Sequence, residues 1–174
     1  MSNYRRFYSD GGTYFFTVNL HDRSSDLLTR HIDLLRDAYK YVQTRHPFKT
    51  HAITVLPDHL HCVWQLPQND HDFSKRWYLL KSHFSRHLTK NETTTQTRRK
   101  RGERGIWQRR FWEHLIRDDA DYENHIGYTY NNPVKHGLTQ RAEDWAYSSL
   151  HRDLAQFAAL IAPYKGTANF GESV

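Results

Sequence analysis

The chain has 174 residues, long enough for one domain with its own core. Its 25 Lys and Arg outweigh 19 Asp and Glu, a formal charge of +6 that suits a polyanionic partner such as nucleic acid. A single cysteine excludes a disulfide framework, and no apolar run approaches the ~18 residues of a membrane span, so the chain reads as soluble and intracellular with no membrane partner.

Residues 13–20, Thr-Tyr-Phe-Phe-Thr-Val-Asn-Leu, alternate and predict a strand after the turn at Gly11-Gly12. From Leu28 to Val42 the apolar residues fall at helical spacing, ending before Pro47. His51 to Leu56 predicts a second strand. Pro57-Asp58 then turns the chain into a third, which carries His59-Leu-His61. A second helix runs from about Phe73 through Trp77, Leu80, Phe84 and Leu88. Residues 89–105 hold no core residue and many basic ones, which predicts a flexible basic loop. Ile106 to Ile116 reads as an aromatic strand. Asp118 and Asp119 can cap a third helix that reaches Asn131 or Asn132 and is closed by Pro133 and Gly137. Trp145 and Tyr147 pin a last short helix, and the tail from about 158 to 174 reads as weakly structured. The order of strands and helices predicts one α+β domain over 1–174, a ferredoxin-like antiparallel sheet with packed helices.

Side chains two apart on a strand share a face. His59 and His61 therefore project together, opposite Leu60, Cys62, Trp64 and Leu66. Packing does not explain them, and two imidazoles so placed can ligate a divalent metal. On the third helix, Tyr128 and Asn132 are four apart and share a face. Tyr122, Ile126 and Tyr130 form a separate stripe that reads as core, leaving Tyr128 as the tyrosine not needed for packing. The amide oxygen of Asn132 can complete a His-His-Asn metal triad beside it. Helix geometry alone favours a surface tyrosine with Asn132 as a C-terminal cap.

These segments resemble the REP-associated tyrosine transposases, a branch of the single-tyrosine HUH nucleases. The matching stretches are Tyr4-Arg-Arg, residues 11–20, Leu56-Pro-Asp-His-Leu-His-Cys-Val-Trp64, Trp107-Gln-Arg-Arg-Phe-Trp-Glu-His114, Tyr128-Thr-Tyr-Asn-Asn-Pro-Val-Lys-His-Gly137 and Trp145-Ala-Tyr-Ser-Ser. They occur in the family's order over roughly residues 4 to 153. The resemblance implies the HUH nuclease fold, with His59, His61 and Asn132 as ligands of Mg²⁺ or Mn²⁺ and Tyr128 as nucleophile. The family commonly has a histidine where this chain has Tyr130. The implied activity is cleavage and rejoining of single-stranded DNA at REP hairpins through a 5′-phosphotyrosine, by a monomer in the bacterial cytoplasm at the nucleoid. Arg5, Arg6, Arg109, Arg110 and Lys135 lie near the matched stretches and are expected to meet phosphates. Two other readings remain: a REP-hairpin binder that no longer cuts, and an HUH replication initiator or relaxase.

Overall fold

The longest alternating stretch of the sequence becomes the centre of the sheet. Strand β1 (Thr13–Asn19) pairs antiparallel with β3 (His59–Gln65) on one side and β4 (Trp112–Leu115) on the other. Strand β2 (Lys49–Val55) flanks β3, so the order is β2-β3-β1-β4, all antiparallel. The computed structural model describes residues 7–90, 96–100, 102, 104–161 and 170–171. The α+β class and the antiparallel sheet are those expected from the sequence.

Because side chains alternate, β1 and β3 feed two different cores. Tyr14, Phe16 and Val18 of β1 join Leu60, Cys62 and Trp64 of β3 on one face. Helices α1 (Leu27–Arg30), α2 (Ile32–Arg45) and α3 (Phe73–His87) cover that face. Trp64 lies stacked between Phe48 and Trp77, with ring centroids at 4.0 and 4.2 Å. Burying side chains of this size contributes about 1.5–3 kcal/mol each. Asp72 caps α3 by accepting the Lys75 N–H at 2.9 Å. The other face of the sheet carries Phe15, Ala52 and Val63. It packs under α5 (Asp119–Lys135) and α6 (Leu150–Ile161), with a 3-10 turn at Ala142–Asp144 between them.

Several boundaries differ from those read in the sequence. The first helix is broken at His31, where α1 gives way to α2; the Leu28 N–H is tied to Pro57 O at 3.0 Å. The predicted strand over 106–116 shortens to Trp112–Leu115, with one isolated bridge at Leu20–Trp107. Ile106, Trp107 and Phe111 instead close the side of the first core. Within the expected basic loop, Gln96–Lys100 forms a short helix, α4, and the Arg104 guanidinium donates to Leu88 O and Thr89 O at 2.9 Å. Helix α6 continues through the start of the expected tail. No described helix is long and apolar enough to cross a membrane.

Helix α5 also outruns its predicted end at Pro133. A proline costs an N–H, but only one turn from the terminus, where few intrahelical bonds remain. The helix stops at Gly137, which takes φ +67°, a conformation open to glycine. The Leu138 N–H donates to Pro133 O (2.9 Å) and the Gly137 N–H to Val134 O (3.0 Å), the paired bonds of a Schellman ending. Lys135 is thereby held on the last helical turn.

Candidate active site

The second face of β3 presents His59 and His61 toward α5, both essentially fully buried. The β1–β3 register sets Asn19 opposite His59 and Thr17 opposite His61. The two imidazole centroids are 4.9 Å apart with planes at 84°. Nδ1 of His59 lies 2.8 Å from Asp58 Oδ1, and Nδ1 of His61 lies 2.9 Å from Thr17 Oγ1. Burial pushes the His59 imidazole down, against the pull of Asp58, so the ring is neutral and fit to ligate. Burial pushes the Asp58 carboxyl up, but its hydrogen bond to His59 and the charge of Arg23 outweigh that and hold it below the ordinary value.

Across from the histidines, the Tyr128 ring lies 5.2 Å from His61 and 5.8 Å from Phe15. Its oxygen accepts from Lys135 Nζ at 3.1 Å, and the ammonium sits 4.8 Å from the ring centroid. Residues 128 and 135 are two helical turns apart, so the spacing places them on one face. Asn132, one turn beyond Tyr128, is buried as well. The structure thus brings His59, His61, Tyr128 and Lys135 together. Arg109 and Arg110 are exposed, as is Lys135, while Arg5 and Arg6 lie outside the described residues.

One expectation needs correcting. Tyr128 is not spare to packing: it is 1% exposed and belongs to the second core. Periodicity separated it from the Tyr122–Tyr130 stripe, yet α5 is covered on more than one side. The sheet lies under it, and Phe170 packs on Tyr128 with centroids 4.7 Å apart and gives its backbone N–H to the phenol oxygen at 3.3 Å. Phe170 O accepts from Thr17 Oγ1, and Gly171 O accepts from Asn19 Nδ2 at 3.2 Å. Nothing local in the sequence signals this contact, which joins residues some 150 positions apart.

The fit of a metal to the proposed triad rests on one orphaned atom. Nε2 of His59 is buried with no hydrogen-bond partner among the described residues, as expected of a nitrogen kept for a ligand. Two imidazole nitrogens and an amide oxygen suit a divalent cation with open positions. A second group went unread in the sequence. His114, Asp121 and His125 bring possible ligand atoms within 4.8 Å of one another. Asp121 accepts from His114 Nε2 at 2.8 Å and lies 3.0 Å from His125 Nδ1. The two rings stack at 15° with centroids 4.6 Å apart. A nitrogen lone pair lies in its ring plane, so one ring must turn before both can meet one ion. As placed, the group is a hydrogen-bonded tie between β4 and α5.

No protein-family profile matches the chain. It is 52% identical over 155 residues to a REP-associated tyrosine transposase of Haemophilus influenzae, covering 88% of each chain. It is 47% identical over 156 residues to the REP-associated tyrosine transposase of Escherichia coli, covering 90% of this chain and 87% of the other. A solved structure of a REP-associated tyrosine transposase bound to a REP hairpin superposes with a TM-score of 0.80 at 42% identity, covering 100% of this chain and 99% of that one. Fold and sequence therefore place the molecule among the tyrosine transposases. The chain belongs to the REP-associated tyrosine transposase family.

Proposed function

We propose that the chain cleaves and rejoins single-stranded DNA at REP hairpins, with Tyr128 as the nucleophile. The observation that carries this reading is the Tyr128 oxygen, held at 3.1 Å from the Lys135 ammonium on a ring that packs against His61. Lys135 was expected to meet a phosphate; its position gives it a second task, stabilising negative charge on the phenol oxygen. In the reaction the Tyr128 oxygen attacks phosphorus, the new O–P bond forms, and the bond from phosphorus to the 3′ oxygen breaks. The phenol proton passes to solvent, the departing 3′ oxygen takes up a proton, and the 5′ side stays on the protein as a phosphotyrosine.

His59, His61 and Asn132 would hold the cation, Mg²⁺ or Mn²⁺, which supplies polarisation of the scissile phosphate. The chain's own groups do the rest. Phe15 and Phe170 keep water from the Tyr128 ring, and Asn132 and Tyr128 ride on one helix so that ligand and nucleophile move together. The solved relative bound to a REP hairpin supports hairpin DNA as partner, and the basic balance of the chain supports phosphate contacts at Arg5, Arg6, Arg109 and Arg110. The protein acts as a monomer in the bacterial cytoplasm, at the nucleoid.

The test is to incubate protein, Mn²⁺ and a single-stranded REP hairpin with its flank, then map any denaturation-resistant adduct by mass spectrometry. Wild type should carry DNA on Tyr128, and Tyr128→Phe should carry none while still binding the hairpin. An adduct on Tyr130, or full cleavage in excess chelator, overturns the reading.

A further inference from the structure

We propose that Asp58 and Thr17 are positioning residues that hold His59 and His61 in one shared tautomer, protonated on Nδ1, so that both rings offer Nε2 to the space between β3 and α5. The inference rests on the metal role proposed above for these two histidines. Neither Asp58 nor Thr17 has a part in that reading, and the sequence suggested only a turn at Asp58.

The proton assignments follow from the partners. Asp58 is an ionised carboxylate, which accepts and cannot donate. The proton in its 2.8 Å contact therefore belongs to Nδ1 of His59. The carboxylate is itself held: its second oxygen takes Arg23 Nη1 at 3.0 Å, and the same nitrogen reaches Asn19 Oδ1 at 2.9 Å. With Oδ1 on His59 and Oδ2 on Arg23, the group has little freedom to turn. What remains of His59 is Nε2, buried and without a hydrogen-bond partner among the described residues.

Thr17 reaches the same result differently. A hydroxyl has one proton, and Thr17 Oγ1 gives it to the carbonyl of Phe170. Toward His61 the oxygen can then only accept, so the 2.9 Å contact requires a proton on His61 Nδ1. The strand register explains why each anchor is in reach. Thr17 is the direct cross-strand neighbour of His61, whereas Asp58 precedes His59 at the strand start. The anchors also differ in kind. A carboxylate raises the basicity of the imidazole it holds; a hydroxyl fixes orientation with little change in charge. The two rings should therefore respond independently.

The experiment uses the full chain, ¹⁵N-labelled at histidine and stripped of metal, at a pH where the imidazoles are neutral. Long-range ¹⁵N–¹H correlations report which nitrogen carries the proton. Wild type should show Nδ1–H for both His59 and His61. Asp58→Ala should send His59 to a tautomer mixture and leave His61 unchanged. Thr17→Val should do the reverse, and Thr17→Ser should restore the wild-type pattern. Each disruptive variant should bind Mn²⁺ about 10–100-fold more weakly by calorimetry. A wild-type proton on Nε2 of either ring overturns the inference whether or not the variants fold, as does a variant whose own histidine keeps its tautomer. If wild type shows the opposite tautomers yet still forms the Tyr128 adduct, this inference fails and the activity stands. If the tautomers are as assigned and no metal-dependent adduct forms, the assignment stands and the activity reading fails.

Discussion

Tyr128 and Tyr130 are two residues apart and both buried, yet removing each hydroxyl should have opposite consequences. Tyr130 donates to Asp153 Oδ2 at 2.9 Å, and its oxygen also lies 3.1 Å from Ser149 Oγ. Burial, and then Asp153 against the pull of Ser149, keep that phenol protonated far above the ordinary range, so it remains a donor and a poor nucleophile. A hydrogen bond to a charged acceptor contributes about 1.5–3 kcal/mol. Asp153 keeps Arg152 at 2.6 Å and is partly solvated, which places the loss for Tyr130→Phe near the bottom of that range, about 1.5 kcal/mol. In a chain of this size that corresponds to a fall of about 3–6 °C in Tm. The Tyr128 hydroxyl accepts from Lys135, an exposed residue that water can serve, and over a longer 3.3 Å from the N–H of partly buried Phe170, so Tyr128→Phe should cost less than about 1 kcal/mol while abolishing the adduct. Urea unfolding with an unchanged m-value, run beside the adduct assay on both variants, separates the two effects. The reasoning is refuted if Tyr130→Phe is silent in stability, if it abolishes the adduct, or if Tyr128→Phe is the more destabilising of the two.

Two further predictions concern charge. If Arg109 and Arg110 each meet a phosphate of single-stranded DNA, replacing both by alanine should flatten the log–log dependence of binding on salt by about 1.4, at about 0.7 per contact; an unchanged slope in a fluorescence titration removes the pair from the interface. Asp70 pairs with buried Arg76 at 2.7 Å, and that bond holds its carboxyl below the ordinary value of 3.8. A depressed carboxyl stabilises the fold above its unfolded pKa and loses that contribution as pH falls through the folded one. Asp70→Asn should therefore be less stable than wild type at pH 7 by about 1–2 kcal/mol, discounted because Asp70 is a third exposed, and the gap should close below about pH 4. A gap that widens on acidification in chemical denaturation contradicts the sign.

The sequence was most legible where a period repeats. The alternation at Tyr14, Phe16 and Val18, and at Leu60, Cys62 and Trp64, gives β1 and β3 and the face that carries His59 and His61. It was least legible where a residue's role depends on what covers it. Apolar spacing runs unchanged across His31, so the helix break left no mark. Trp107 and Phe111 carry strand-like side chains but serve as the wall of a core. Periodicity put Tyr128 on a different stripe from Tyr130, yet it could not tell that the stripe would be roofed by Phe170. In the sequence Asp58 is only a turn former, because adjacency alone does not say which way a carboxylate points. The link of Thr17 to both His61 and Phe170 crosses strands and most of the chain, beyond any local pattern.

Strand β3 is lined on one side by Leu60, Cys62 and Trp64 and on the other by His59, His61 and Val63. A slip of one residue against β1 would exchange the two sets, driving imidazoles into an aromatic core and leaving leucine and tryptophan where polar groups are needed. Such a chain would lose its main hydrophobic cluster along with its candidate ligands. Correct alignment of the two histidines is thus proofread by folding itself: molecules that assemble the first core have, by the same act, set both rings facing α5.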